Sequence, residues 1–163
     1  MRRLRARMTR HRFAPVGTPA MSLDEIKKRF VDEVKLRGYD DRYIDKIEER
    51  EILHVAIQQG IGIEPARGAL AQVCEHEGYV LESTLLKLIK DRLESAAGND
   101  GKIDQKEFDT IFADVRKAAQ SRKNDRELKK MIILVMEDTG LNRVKTGWFS
   151  DWYASLKRDL GMV

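Results

Sequence analysis

The sequence predicts an all-α protein, a single bundle of about seven helices. Three observations carry that expectation: apolar residues recur at helical spacing, glycines stand where those stretches stop, and no segment alternates apolar with polar for long. At 163 residues, 36% charged and 42% apolar, the chain is long enough for one substantial core and too polar in pattern for a membrane protein. The longest apolar run, Met131 to Met136, falls far short of the roughly 20 residues that span a bilayer.

The elements follow in order. Ser22 and Glu25 form a capping box ahead of Leu23, Ile26, Phe30 and Val34, and Gly38 stops the first helix. A second helix runs from about Asp45 to Gln59 and ends at Gly60. Pro65 takes the first position of the third, which carries Ala66, Leu70, Val73 and Cys74 to Gly78. Leu81, Leu85, Leu88, Ile89 and Leu93 make the fourth. Phe108, Ile111, Phe112, Val115 and Ala119 form an unbroken stripe on the fifth. Asn124 and Glu127 cap the sixth, which uses Leu128, Met131, Ile132 and Val135 before Gly140. The last begins near Thr146, with Trp148, Trp152, Leu156 and Leu160 closing the core and Phe149 and Tyr153 left outside. Beyond a two-residue bridge, no sheet is expected.

Charge divides the chain unevenly. Residues 1–20 hold Arg2, Arg3, Arg5, Arg7, Arg10 and Arg12 and no acid; without them 25 basic residues face 27 acidic ones. The expected organisation is therefore a flexible arginine-rich tail over 1–20 and one helical domain over 21–163. A tail of this kind suits an organellar address or a basic arm on nucleic acid. Met21 could equally be the native start. The lone Cys74 permits no internal disulfide, so a reducing, cytoplasmic setting is expected.

A weak repeat at an offset of 59 residues aligns Asp41 with Asp100, Ile44 with Ile103, Asp45 with Asp104, Glu48 with Glu107 and Ile52 with Ile111. In its second copy, Asp100-Gly101-Lys102-Ile103-Asp104-Gln105-Lys106-Glu107-Phe108 resembles the latter half of an EF-hand loop. That resemblance implies a turn at Gly101, pairing with a partner loop through Ile103, and calcium ligands at Asp100, Asp104 and Glu107. It also implies two EF-hand-like helix-loop-helix units. The first half departs from the pattern. Twelve positions counted back from Glu107 begin at Ala96 and put Gly98 where an acid is usual; a longer loop variant would start at Glu94. Calcium takes about six to eight oxygens, so this set implies weak binding, roughly 10⁻⁴ M or poorer. In the upstream copy Arg42 replaces the turning glycine.

The competing reading of the same residues is structural. Asp104 and Glu107 make a good capping pair without metal, and a similar acidic string occurs in helical domains that resemble the tellurite-resistance TerB class. Cys74 and His76 stand two apart and point away from each other on a helix, so Cys74 reads as a core residue. No phosphate loop, H-E-x-x-H or serine-elbow motif is present. The expected function is thus non-enzymatic: a protein-interaction or regulatory module with weak or no calcium binding. The alternative is a nucleic-acid-associated protein using the arginine tail.

Overall fold

The computed structural model describes residues 22–37, 41–98, 100–141, 144–145 and 151–163. Within them lie seven helices and one two-stranded ribbon: α1 Leu23–Arg37, β1 Tyr43–Ile44, α2 Lys46–Gln58, α3 Ile63–Glu77, β2 Val80–Leu81, α4 Glu82–Ala97, α5 Gln105–Ala118, α6 Asp125–Asp138 and α7 Trp152–Asp159. The all-α bundle that the periodicity predicts is the fold. None of these helices is long and apolar enough to cross a membrane. The arginines of residues 1–20 lie outside the described residues.

Local chemistry fixes most helix starts. Ser22, Asp45, Asp104 and Asn124 each accept from the backbone N–H three residues on, while Glu25, Glu48, Glu107 and Glu127 accept from the capping residue's own N–H. Each such box contributes about 1 kcal/mol. The spacing rule misplaces the third helix. Pro65 is its third residue, not its first, with Gly62 as the cap; a proline is harmless there because the first-turn N–H groups have no helical acceptor. Leu81, expected in the fourth helix, belongs to β2. The last helix is capped by Asp151, whose side chain accepts from Ala154 N–H; the predicted start at Thr146, with Trp148 and Phe149, lies outside the described residues. Tyr153 was expected outside the core. Instead it is half-buried, edge-on to Trp152 at 5.7 Å and bonded to Glu137.

The ribbon pairs Tyr43 with Val80 and Ile44 with Leu81, in parallel. Parallel pairing requires a crossover, and α2 and α3 provide it. Because successive strand residues face opposite sides, the ribbon separates two apolar clusters. Ile44 and Leu81 join Phe30, Val34, Ile52, Leu53, Leu70 and Cys74 in the N-terminal one. Tyr43 and Val80 join α4, α5, α6 and α7 around Leu93, Phe108, Ile132 and Trp152 in the other. Cys74 is 2% exposed, and burial pushes its thiol up to about 11, which leaves it unreactive at neutral pH.

A second parallel contact, Ile103 to Val144, repeats the arrangement farther along the chain. The 59-residue repeat is therefore one of loop architecture, and it extends to individual bonds. Asp41 Oδ1 accepts from Tyr43 N–H at 2.9 Å, as Asp100 Oδ1 does from Lys102 N–H at 3.0 Å. Arg42 and Gly101 both take left-handed backbone, with φ +55° and +69°. Arginine thus keeps the conformation that the glycine adopts freely, at a cost of about 1–2 kcal/mol. Two substitutions test this. Gly101→Ala should lower stability by about 1 kcal/mol, although nothing lies within 4 Å of its added Cβ. Arg42→Gly should be neutral or stabilising by under about 1 kcal/mol, since glycine's backbone entropy offsets the relieved strain. Urea unfolding curves measure both.

Candidate metal site

The three predicted ligands lie along one short segment: Asp100 between α4 and α5, Asp104 at the cap of α5 and Glu107 in its first turn. Asp100 ends the turn that follows α4, held by the bond from Gly101 N–H to Ala97 O at 2.8 Å. Ile103 is fully buried and anchors the middle of the loop. Asp104 caps α5 and Glu107 lies one turn in.

Both oxygens of Asp100 and one each of Asp104 and Glu107 are engaged. Asp104 Oδ1 accepts from Glu107 N–H at 2.8 Å, and Glu107 Oε2 accepts from Asp104 N–H at 2.8 Å. The Lys145 ammonium lies 3.1 Å from Asp100 Oδ2 and 3.8 Å from Glu107 Oε2. It arrives there because Lys145 follows Val144 in the second parallel contact and donates its backbone N–H to Ile103 O at 2.9 Å. A lysine therefore supplies the positive charge that the loop's carboxylates attract. A groove of about 320 Å³ is lined by Asp104, Glu107, Asp114 and Arg92, and Arg92 pairs with Asp114 at 3.0 Å.

As placed, this donor set holds the Lys145 ammonium. With both Asp100 oxygens, Asp104 Oδ1 and Glu107 Oε2 engaged by backbone N–H groups and Lys145, the remaining carboxylate oxygens of the three are fewer than a six- to eight-oxygen shell requires. Among the described residues, no group of three or more histidine, cysteine, aspartate or glutamate side chains is placed to hold a metal. In the upstream copy the same capping bonds form around Asp45 and Glu48.

The pairing has an electrostatic signature. The hydrogen bond from Lys145 holds the Asp100 carboxyl below its ordinary range, and the bond to Asp100 pushes the Lys145 ammonium above its own. Asp100's folded value is depressed, so its contribution is present above the unfolded value and lost as pH falls through the folded one. Lys145's is raised, so its contribution is present below the unfolded value and lost as pH rises through the folded one. The tether should hold across the whole neutral range. Carboxyl carbon shifts followed by NMR should show Asp100 titrating below an ordinary aspartate, and Lys145→Gln should return it upward. An Asp100 that titrates identically in both proteins would show that the ion pair is absent in solution.

Nothing in the sequence marks Lys145 as a partner of the loop. It sits 45 residues from Asp100 and 38 from Glu107, and no periodicity links such distant positions. The other tempting residues stay apart: His76 is exposed and bonded to Glu77, and His54 is bonded to Gln58. The chain matches no known protein family, no curated protein and no solved structure.

Proposed function

We propose that this chain is a protein-interaction module in which the acidic loop is a structural joint and calcium is at most a weak ligand. One observation carries the reading: large apolar side chains are left uncovered over the N-terminal helices. Leu36, Ile47, Val55, Ile57 and Ile63 are 72%, 65%, 37%, 47% and 39% exposed, while the cluster beneath them is closed. Single exposed apolar residues are ordinary, but several on neighbouring helices favour association with another protein.

The test uses proximity labelling with the intact chain in its own cell. A reproducible set of neighbours should be labelled, and it should vanish for the Ile47→Ser, Ile57→Ser, Ile63→Ser triple variant, whose melting temperature should barely move. A neighbour set unchanged by the triple variant would overturn the reading. The calcium part is tested separately. Calcium should leave the melting temperature of both the unmodified protein and Glu107→Gln unchanged, since glutamine keeps the capping acceptor. A real site would raise stability by about 2.7 kcal/mol at 100 times its dissociation constant, and that rise would disappear in Glu107→Gln.

A further inference from the structure

We infer that the groove between α2 and α3 docks an acidic amphipathic helix of another protein. This rests on the interaction-module reading and adds to it a surface and a partner chemistry. The groove has a volume of about 370 Å³. Its floor is apolar: Leu53 is buried, and Ile57 and Ile63 remain partly uncovered. On α2, Lys46, Arg50, Leu53, His54 and Ile57 recur at spacings of three and four, so they form one continuous face along the groove.

Length favours a helical occupant. From Lys46 to Ile57 the groove follows α2 for about 16 Å, or roughly three turns at 1.5 Å per residue. An amphipathic helix laid there would present apolar anchors at i, i+3 or i+4, and i+7. A strand has nothing to extend, because the ribbon is two residues long and buried on both strands.

Charge selects the sign of that helix. Lys46, Arg50 and Arg67 line the groove against a single lining carboxylate, Glu49. Arg67 makes an exposed pair with Glu64 at 3.4 Å, an interaction too weak to silence its charge. Neither Lys46 nor Arg50 makes an ion pair among the described residues. The same field argues against the chain's own first twenty residues as occupant, since they bring six arginines and no acid. A second copy meeting the groove face to face would set Lys46, Arg50 and Arg67 against themselves. An acidic partner meets none of these repulsions.

The experiment is selection from a phage-displayed library of random peptides on the full chain, followed by affinity measurements on the enriched peptides. Those peptides should be net acidic with helical apolar spacing, and their amide-shift perturbations should centre on Leu53, Ile57, Ile63 and Arg67. The double reversal Lys46→Glu, Arg50→Glu changes exposed residues only, so its melting temperature checks that the fold survives. It should weaken the acidic peptides by about tenfold or more at low salt. Ile57→Ser should weaken them without altering charge. Enriched peptides that are neutral or basic, or that bind the double reversal equally well, overturn the groove assignment while leaving the interaction-module reading standing. Failure to enrich any peptide likewise overturns the groove assignment, whereas the interaction-module reading falls only if the labelled neighbours survive the triple variant.

Discussion

Phe108→Ala should be among the most destabilising single substitutions in this protein, costing about 3–5 kcal/mol. Phe108 is 1% exposed and stands at the first turn of α5, its N–H bonded to Asp104 O at 3.0 Å. Its ring lies 5.4 Å from that of Trp152 at a tilt of 53°, a geometry worth about 0.5–1.5 kcal/mol beyond burial. The loss does not stop at the cavity. Trp152 Nε1–H donates to Lys145 O at 3.0 Å, and Lys145 N–H donates to Ile103 O. Phe108 thus backs the joint that brings α7 and the Lys145 ammonium to the acidic loop. The melting temperature should fall by roughly 10 °C, and tryptophan emission should shift to longer wavelength. Phe108→Leu, which keeps most of the volume, should cost far less. A drop below about 1 kcal/mol for the alanine variant would mean that Phe108 is not the packed centre of the C-terminal cluster.

What the sequence disclosed divides by range. Helices and their caps depend on residues three and four apart, so Ser22 with Glu25, Asp104 with Glu107 and Asn124 with Glu127 were legible, and each box forms. The repeat was legible because Ile44 and Ile103 sit at matching places beside matching caps. Its left-handed turn was only half legible: glycine announces it at 101, but arginine conceals it at 42. The misplaced start of α3 has a related cause. Proline is tolerated anywhere in a first turn, so it marks the turn without marking its first residue. What stayed hidden depends on the path of the chain. The register of Tyr43 on Val80 and the arrival of Lys145 at Asp100 need whole helices to fold back first. Tyr153 illustrates the same limit. Its neighbours on α7 suggest an outward position, whereas Glu137 of α6, brought close by packing, accepts from its hydroxyl and draws it inward.

The two-cluster architecture makes a sharper demand on Ile44 and Ile103. Both are fully buried, at matching positions of the repeat, yet Ile44 belongs to the N-terminal cluster and Ile103 to the C-terminal one. Each alanine substitution should cost about 2–5 kcal/mol. Having no cluster in common, the two should add to within about 0.5 kcal/mol in the double variant, provided it still folds. The clusters are not independent domains, however. The ribbon gives one face to each cluster, and α4 follows directly from Leu81 of one into Leu85, Ile89 and Leu93 of the other. Loss of Ile44 should therefore lower the midpoint seen by tryptophan fluorescence, although both tryptophans, Trp148 and Trp152, belong to the C-terminal half of the sequence. Fluorescence and far-ultraviolet circular dichroism should give one coincident transition for the unmodified protein and for Ile44→Ala. Two separated transitions, with tryptophan emission indifferent to Ile44, would show that the ribbon divides the halves without joining them. The acidic loop and its lysine would then stabilise the C-terminal half alone.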